Sequence, residues 1–250
     1  MEIIAHRGAS HAAPENTIAA ARLAWVEGAD ALEVDVHLTR DGRLAVIHDL
    51  DTERTAGTRR VVADSTWAEL QALEVGGWKE ERFRGEKIPD LAAIMREVPA
   101  GKRVLVELKA GRAAVPELRR CVLRALSDPA HPLRPGQIVL MTFDLSVAAE
   151  VKRALPGPEV CWLADSGAGA PRTTLEEIAR AARGAGLDGI DVDAGWPMDA
   201  QIVQQIRGAA FKIYTWTIDD AHVARRLAAA GVDGITTNRP AELRAELGLP

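Results

Sequence analysis

Residues 137–163 read QIVLMTFDLSVAAEVKRALPGPEVCWL, and this stretch indicates the architecture of the chain. It begins with an apolar run, Gln137–Met141, whose length suits a buried strand. The amphipathic segment Leu145–Leu155 follows, and Asp144 is placed to cap the amino end of a helix there. A second apolar run, Val160–Leu163, completes the unit. Strand, helix and strand in this order predict a βαβ unit in a parallel sheet.

The same alternation extends along nearly the whole chain. Amphipathic segments rich in Ala, Leu, Glu and Arg, such as Thr174–Arg183, separate further apolar runs: Glu2–Ala5, Ala31–Leu38, Leu44–Ile47, Val104–Leu108, Gly189–Val192, Phe211–Tyr214 and Gly234–Thr236. About eight such units in a chain of this length are what a barrel of eight strands and helices requires. A doubly wound open sheet is the alternative, but no Gly-rich dinucleotide loop follows the first run. We therefore predict an α/β chain folded as a (β/α)8 TIM barrel.

The segment between His48 and Pro89 breaks this rhythm. It contains one short helical piece, Thr66–Leu73, and no clear strand–helix unit. We predict a single TIM-barrel domain over residues 1–250, with a small insertion after the second strand at about 49–88. Long ordered excursions of this kind are usually functional. The alternative is a packed surface loop with an aromatic mini-core of its own, built from Trp67, Trp78 and Phe83.

The composition excludes several classes of protein. The 36 acidic residues outnumber the 31 basic ones, and no basic stretch is long enough to indicate a nucleic-acid surface. An apolar content of 47% excludes intrinsic disorder. No segment resembles a signal peptide or a membrane span, so we expect a cytoplasmic protein without a stable membrane anchor. The sequence specifies no oligomeric state, and of the two cysteines Cys161 is expected to be a reduced core thiol.

Charged residues with a spacing of two occur in or at the end of two of the predicted strands. Glu33 and Asp35 lie on one face of their strand, and Glu107 and Lys109 share a face at the end of the next long one. Such pairs are usually solvated, but one strand face of a barrel points into the interior, where an unpaired carboxylate is costly. Three converging carboxylates need a cation, either a metal ion or Lys109. Ligands that are all oxygen favour Mg²⁺ or Ca²⁺ over zinc.

Two histidines follow predicted strands at the end of the barrel where active sites lie. His6 follows the first strand, and His48 follows Leu44–Ile47. A lone histidine after a strand is more often structural, but two beside a carboxylate cluster indicate acid–base chemistry near neutral pH. Arg7 and Lys109 add positive charge and N–H donors that suit a phosphate. Together these residues predict metal-assisted cleavage of a phosphodiester.

Short motifs occur in a fixed order from His6 to Pro240, over nearly the whole chain. They are His6-Arg7-Gly8, Pro14-Glu15-Asn16-Thr17, Glu33-Val34-Asp35-Val36, Thr39-Arg40-Asp41-Gly42, His48-Asp49, Glu107-Leu108-Lys109 and Gly231-Val232-Asp233-Gly234-Ile235-Thr236-Thr237-Asn238-Arg239-Pro240. In this order they resemble the glycerophosphodiester phosphodiesterase family. The combination of all these motifs is highly specific for the family, although His-Arg-Gly alone is not. That family is a TIM barrel with an insertion after its second strand.

The resemblance implies a role for each residue at a matching position. These are the acid–base pair His6 and His48, the metal ligands Glu33, Asp35 and Glu107, the phosphate contacts Arg7 and Lys109, and Trp216 as the aromatic residue of the substrate pocket. The alternative for Trp216 is a core tryptophan at a strand end. The family often has Asn where this chain has Asp219. Since both residues can cap a helix, we expect little effect from this difference.

The activity that the resemblance implies is metal-dependent hydrolysis of glycerophosphodiesters to an alcohol and glycerol 3-phosphate. The expected cofactor is Mg²⁺ or Ca²⁺, and the expected partner is a small-molecule phosphodiester substrate. Two alternatives remain. One is a phospholipase D-like cleavage of lysophospholipids, and the other is a non-catalytic barrel that binds phosphorylated ligands. Retention of both histidines and all three carboxylates argues against the non-catalytic barrel.

Overall fold

The computed structural model describes residues 1–131, 133–167, 173–208 and 211–249, and its strands form one closed sheet. In chain order they are β1 (Glu2–Ala5), β2 (Ala31–Leu38), β3 (Leu44–Val46), β4 (Arg103–Leu108), β5 (Ile138–Thr142), β6 (Glu159–Ala164), β7 (Gly189–Asp193), β8 (Lys212–Trp216) and β9 (Gly234–Thr237). All pairings among the described strands are parallel except that of β3 with β2, and β1 pairs with both β2 and β9. The predicted (β/α)8 TIM barrel is therefore confirmed.

Helices connect the strands, and most of them cover the outside of the barrel. They are α1 (Ile18–Val26), α2 (Glu53–Ala56), α3 (Trp67–Gln71), α4 (Leu91–Arg96), α5 (Val115–Ser127), α6 (Leu145–Ala154), α7 (Leu175–Gly184), α8 (Ala200–Arg207), α9 (Ala221–Ala230) and α10 (Pro240–Leu247). Local signals start several of them, since Asp144 accepts hydrogen bonds from the first turn of α6 and Thr174 forms a capping box with Glu177. Within the described ranges, no helix is long and apolar enough to cross a membrane.

Alternation along each strand separates two apolar layers. The outward side chains, such as Val34 and Val106, pack against the surrounding helices in the main core. The inward side chains form a second cluster that includes Ile4, Leu105 and Cys161. Burial raises the pKa of the Cys161 thiol well above its ordinary value, which agrees with a reduced core cysteine.

The insertion after the second barrel strand begins with a hairpin, because β3 pairs antiparallel to β2. The chain then forms α2, α3 and two short 3-10 turns before it reaches α4. Its core is aliphatic and is built from Ala45, Ile47, Val62, Leu70, Val75 and Ile88. Trp67 packs at the edge of this core, whereas Trp78 is 45% exposed. We call residues 49–88 the lobe.

A network of charged side chains closes the amino end of the barrel. Arg103, at the start of β4, donates hydrogen bonds to Glu2 at 2.9 Å, to Glu159 at 2.9 Å and to the Tyr214 hydroxyl at 2.9 Å. The Tyr214 hydroxyl in turn donates to Glu159 at 2.8 Å. Because the side chains of Arg103 and Glu159 are each only 16% exposed, removal of the arginine leaves poorly solvated carboxylates behind.

We expect Arg103→Met to lower the free energy of unfolding by about 2–4 kcal/mol, since the loss of one partner from a largely buried ion pair is costly. Arg84→Met is the matched control, because Arg84 pairs with Glu81 and both of these side chains are exposed, where ion pairs contribute little to stability. Urea unfolding measures both variants. Equal stability of the two variants would show that the network does not hold the barrel together.

Candidate active site

Three carboxylates meet at the carboxyl ends of two neighbouring strands. Glu33 and Asp35 lie on β2, and Glu107 lies on β4 directly opposite Asp35 in the parallel register. One oxygen from each carboxylate lies within 4.8 Å of the others. The spacing of two in β2 thus places both of its acidic side chains toward the interior, as the sequence indicated.

Two cationic side chains lie against this cluster. Lys109 Nζ is 2.6 Å from Glu107 Oε1 and 3.2 Å from Asp35 Oδ1. Arg7 Nε is 3.2 Å from Asp35 Oδ2 on the other side. Both cations therefore converge on Asp35, while Glu33 accepts only a backbone hydrogen bond, at 2.9 Å, from the Arg7 N–H in the described contacts.

The pKa values of the three carboxyls reflect this unequal pairing. Burial raises the pKa of Glu33 well above its ordinary value, and the negative charges of Asp35 and Glu107 raise it further. Burial and Asp35 raise the pKa of Glu107 to about 7. Burial also acts to raise the pKa of Asp35, but Lys109 and Arg7 outweigh it and keep that pKa below its ordinary value. The cluster thus has more negative charge than its two cations balance.

The backbone after β1 is shaped to bring Arg7 to the carboxylates. Arg7 has a φ of 56°, in the left-handed region that a non-glycine residue rarely adopts. Gly8 follows with a φ of +85°, and a Cβ atom there would lie 2.6 Å from the Cβ of Ala20. Only glycine fits this close approach to α1. Asn16, with a φ of 58°, then donates to Asp35 Oδ2 at 2.8 Å.

His6 is held by residues from the other end of the chain. Its Nδ1 is 2.7 Å from Asn238 Oδ1, and since an amide oxygen only accepts, Nδ1 carries the proton. Asp219 fixes that amide by accepting from Asn238 Nδ2 at 2.7 Å and from its backbone N–H at 2.8 Å. Burial and the nearby Arg7 lower the pKa of His6, so its imidazole is neutral near pH 7.

This arrangement corrects the expectation that Asp219 is a helix cap that Asn could replace with little effect. The cap of α9 is the next residue, Asp220, whose carboxylate accepts from His222 and Val223. Asp219 instead accepts three hydrogen bonds from Thr237 and Asn238. Replacement by Asn removes an acceptor that this arrangement uses, because one of its two oxygens becomes a donor group.

His48 is supported from the lobe. Its Nδ1 is 2.8 Å from Asp49 Oδ1, and Arg54 of α2 donates to Asp49 Oδ2 at 2.6 Å. The same guanidinium donates to both oxygens of Glu15, at 2.7 and 2.8 Å. Glu15 in turn accepts from Arg7 at 2.9 Å. Arg54 therefore links the carboxylates that contact His48 and Arg7.

A pocket of about 200 Å³ opens above these groups. Its polar side contains six of the predicted site residues, namely His6, Arg7, Glu33, His48, Glu107 and Lys109. Its apolar side contains Trp216, Phe143, Met141 and Leu163. The rings of Trp216 and Phe143 meet edge to face, with centroids 5.9 Å apart and planes at 84°. Trp216 lines the pocket and also packs against the inner apolar cluster.

Residues 6–242 match the family model described as the glycerophosphoryl diester phosphodiesterase family. The chain belongs to this family. The match identifies it as an enzyme, a phosphoric diester hydrolase, and it confirms the resemblance drawn from the motifs.

Relatives of the phosphodiesterase cover nearly its whole length. A glycerophosphodiester phosphodiesterase from Caldanaerobacter subterraneus subsp. tengcongensis is 32% identical, over 96% of this chain and 95% of its own. A crystal structure of a glycerophosphodiester phosphodiesterase from Agrobacterium tumefaciens is 28% identical with a TM-score of 0.78, covering 98% of this chain and 99% of that one. An Oleispira antarctica phosphodiesterase, solved with the product sn-glycerol-3-phosphate, shares the fold, with a TM-score of 0.85 and 24% identity over 99% and 97% of the two chains.

Several residues of the site were not predicted from the sequence of the phosphodiesterase. Phe143 lies in a loop and carries no local signal for a pocket position. Arg54 and Asp219 act through partners that are distant in sequence. Asp191, which lines the pocket, could have been found from a local pattern, because Asp191-Val192-Asp193 repeats the spacing of Glu33-Val34-Asp35 in another strand.

The adjacent residues Asp219 and Asp220 give a matched pair of variants. We expect Asp219→Ala to lower kcat about 10- to 100-fold, because Asn238 and then His6 lose their orientation. The kcat of Asp219→Asn should lie between those of Asp219→Ala and the wild type. Asp220→Ala should keep its kcat and lower Tm, since it removes only a helix cap. Steady-state kinetics and thermal unfolding measure these effects. Equal kcat values for the two alanine variants would contradict the role given to Asp219.

Proposed function

We propose that this phosphodiesterase hydrolyses glycerophosphodiesters to glycerol 3-phosphate and an alcohol, using a divalent cation and two histidines. The observation that carries the proposal is the convergence of an acidic cluster, two cationic side chains and two histidines on one pocket. Relatives that match nearly the whole of this chain are named glycerophosphodiester phosphodiesterases, and these names support the choice of substrate.

The acidic cluster fits a divalent cation. Glu33, Asp35 and Glu107 would hold it, because their oxygens lie close together. The raised pKa values of Glu33 and Glu107 indicate that the negative charge of the cluster is not balanced. Ligands that are all carboxylate oxygens suit the hard cations Mg²⁺ and Ca²⁺. When bound, such an ion polarises a phosphoryl oxygen and stabilises the charge that develops there.

The two histidines would move the protons of the reaction. Each ring uses Nδ1 for its hydrogen bond to Asn238 or Asp49, which leaves Nε2 for exchange with a bound substrate. One imidazole accepts a proton from the attacking water molecule as the new P–O bond forms. The other donates a proton to the departing alcohol oxygen as the old P–O bond breaks. The neutral state of His6 near pH 7 suits the accepting role.

The remaining pocket residues would position the substrate. Arg7 and Lys109 supply N–H donors and positive charge for the phosphate oxygens. Trp216 and Phe143 offer an apolar surface to the carbon skeleton of the substrate. We also propose that residues 1–250 act as one catalytic domain, since the site draws on β1 at one end, β9 at the other, and the lobe.

The function is tested by turnover of glycerophosphocholine, with lysophosphatidylcholine as the competing substrate. We expect release of glycerol 3-phosphate and choline with Mg²⁺ or Ca²⁺, loss of turnover after chelation, and recovery when the ion is restored. Glu33→Gln should weaken binding of the ion measured by calorimetry, because it removes an anionic ligand. Faster turnover of lysophosphatidylcholine would favour the phospholipase D-like alternative. Full activity in protein shown by elemental analysis to be free of metal would exclude the cation.

We expect His6→Ala and His48→Ala each to lower kcat by about 10²- to 10⁴-fold, the range that general acid–base groups contribute. His222→Ala is the control, because this histidine is exposed on α9 and lies outside the pocket. Circular dichroism and Tm confirm that the variants fold. Near-normal turnover in either variant would remove that histidine from the mechanism.

A further inference from the structure

A buried carboxyl group that the mechanism does not use lies in the same pocket. Asp191 is on β7, its side chain faces the barrel interior, and it is only 1% exposed. Its Oδ1 has no hydrogen-bond partner among the described residues. Trp216 Nε1 lies 3.4 Å from the Asp191 carbonyl oxygen, so the strand is fixed beside the aromatic wall.

A second unpartnered group lines the same pocket. Thr236 is on β9 and is 2% exposed, and its hydroxyl oxygen also has no hydrogen-bond partner in the described ranges. Thr215 on β8 also has a buried hydroxyl without a hydrogen-bond partner among the described residues. Its side chain, however, faces away from the barrel interior and does not line the pocket. Thr215 therefore provides a comparison for Thr236.

Unpartnered polar groups inside a protein reduce its stability, so two of them in one pocket need an explanation. The chemistry of the pair indicates a neutral ligand group. Burial, and then the charge of Glu107, raise the pKa of Asp191 well above its ordinary value, which favours the protonated form of this carboxyl. A protonated carboxyl and a hydroxyl can each donate and accept a hydrogen bond. An alcohol has the same two capacities.

Asp191 is not one of the three carboxylates of the proposed cation site. The described acidic group whose oxygens approach one another consists of Glu33, Asp35 and Glu107, without Asp191. Asp191 and Thr236 lie on β7 and β9, on either side of the strand that carries Trp216. Arg7 and Lys109 line the same pocket as Asp191 and Thr236, so the rest of a substrate whose phosphate contacts the two cations would share the pocket with these two groups.

We propose that Asp191 and Thr236 form a subsite that hydrogen-bonds the free hydroxyls of the glycerol moiety. This inference rests on the proposed function and specifies which part of the substrate the pocket recognises. A site built to hydrogen-bond an alcohol rejects an analogue that lacks it, because its own buried groups are then left unpaired. The subsite would therefore select glycerol esters over simple alkyl esters of the same head group.

The test compares glycerophosphocholine with propyl phosphocholine, which has the same head group and carbon chain but no free hydroxyl. The readout is the ratio of the two kcat/KM values within each variant, because the fraction of folded protein cancels in that ratio. We expect Asp191→Leu and Thr236→Val each to lower the ratio about tenfold, the effect of losing one hydrogen bond to the substrate. Asp191→Asn should retain most of the ratio, since it keeps a donor and an acceptor.

Thr215→Val is the matched control, and its ratio should equal that of the wild type. A second measurement uses ligands without a head group. Asp191→Leu should weaken inhibition by glycerol 3-phosphate about tenfold relative to propyl phosphate. That result assigns the contact to the glycerol rather than to the departing alcohol.

An unchanged ratio of kcat/KM values in both Asp191→Leu and Thr236→Val would overturn the subsite. It would mean that ordered water, rather than substrate, satisfies the two groups. An equal fall in Thr215→Val would also overturn it, because the effect would then be independent of the pocket. If the wild type does not cleave glycerophosphocholine at all, the proposed function itself fails. If it cleaves this substrate while the ratio stays constant in the variants, only the subsite fails.

Discussion

Repulsion among three interior carboxylates is the constraint on which the site depends. Glu33, Asp35 and Glu107 lie together because β2 and β4 pair in parallel, and that pairing cannot change without opening the barrel. Arg7 and Lys109 relieve the repulsion mainly at Asp35. The remaining charge makes the site receptive to a cation. The unusual backbone after β1 is part of the same arrangement, since it is what brings a guanidinium and a backbone N–H to the cluster.

The two histidines are oriented by different parts of the fold. His6 depends on the closure of the barrel, because Asn238 and Asp219 follow β9 and β8. His48 depends on the lobe, because Arg54 of α2 holds Asp49. The lobe thus has an aliphatic core rather than the expected aromatic one, and it supplies the carboxylate that contacts His48.

The strands, the barrel and the cluster of three carboxylates could be predicted because their signals are local. Apolar runs match the observed strands to within two residues, and the spacing of two in Glu33 and Asp35 correctly places both side chains on the inner face. Asp219 was misjudged because two adjacent aspartates follow β8, and only the tertiary structure shows which one caps α9. The role of Arg54 depends on Glu15, which is 39 residues away, and no local pattern encodes such a contact.

The hydrogen bond between His6 and Asn238 joins residues 232 positions apart in the sequence. During synthesis the first strand leaves the ribosome long before the last one, so a nascent chain carries His6 without the group that orients it. Domains generally fold as units once enough of the chain is available. The hydrogen bond that orients the His6 ring therefore forms only when the final strand is in place. A chain that ends before β9 leaves Nδ1 of His6 without its acceptor.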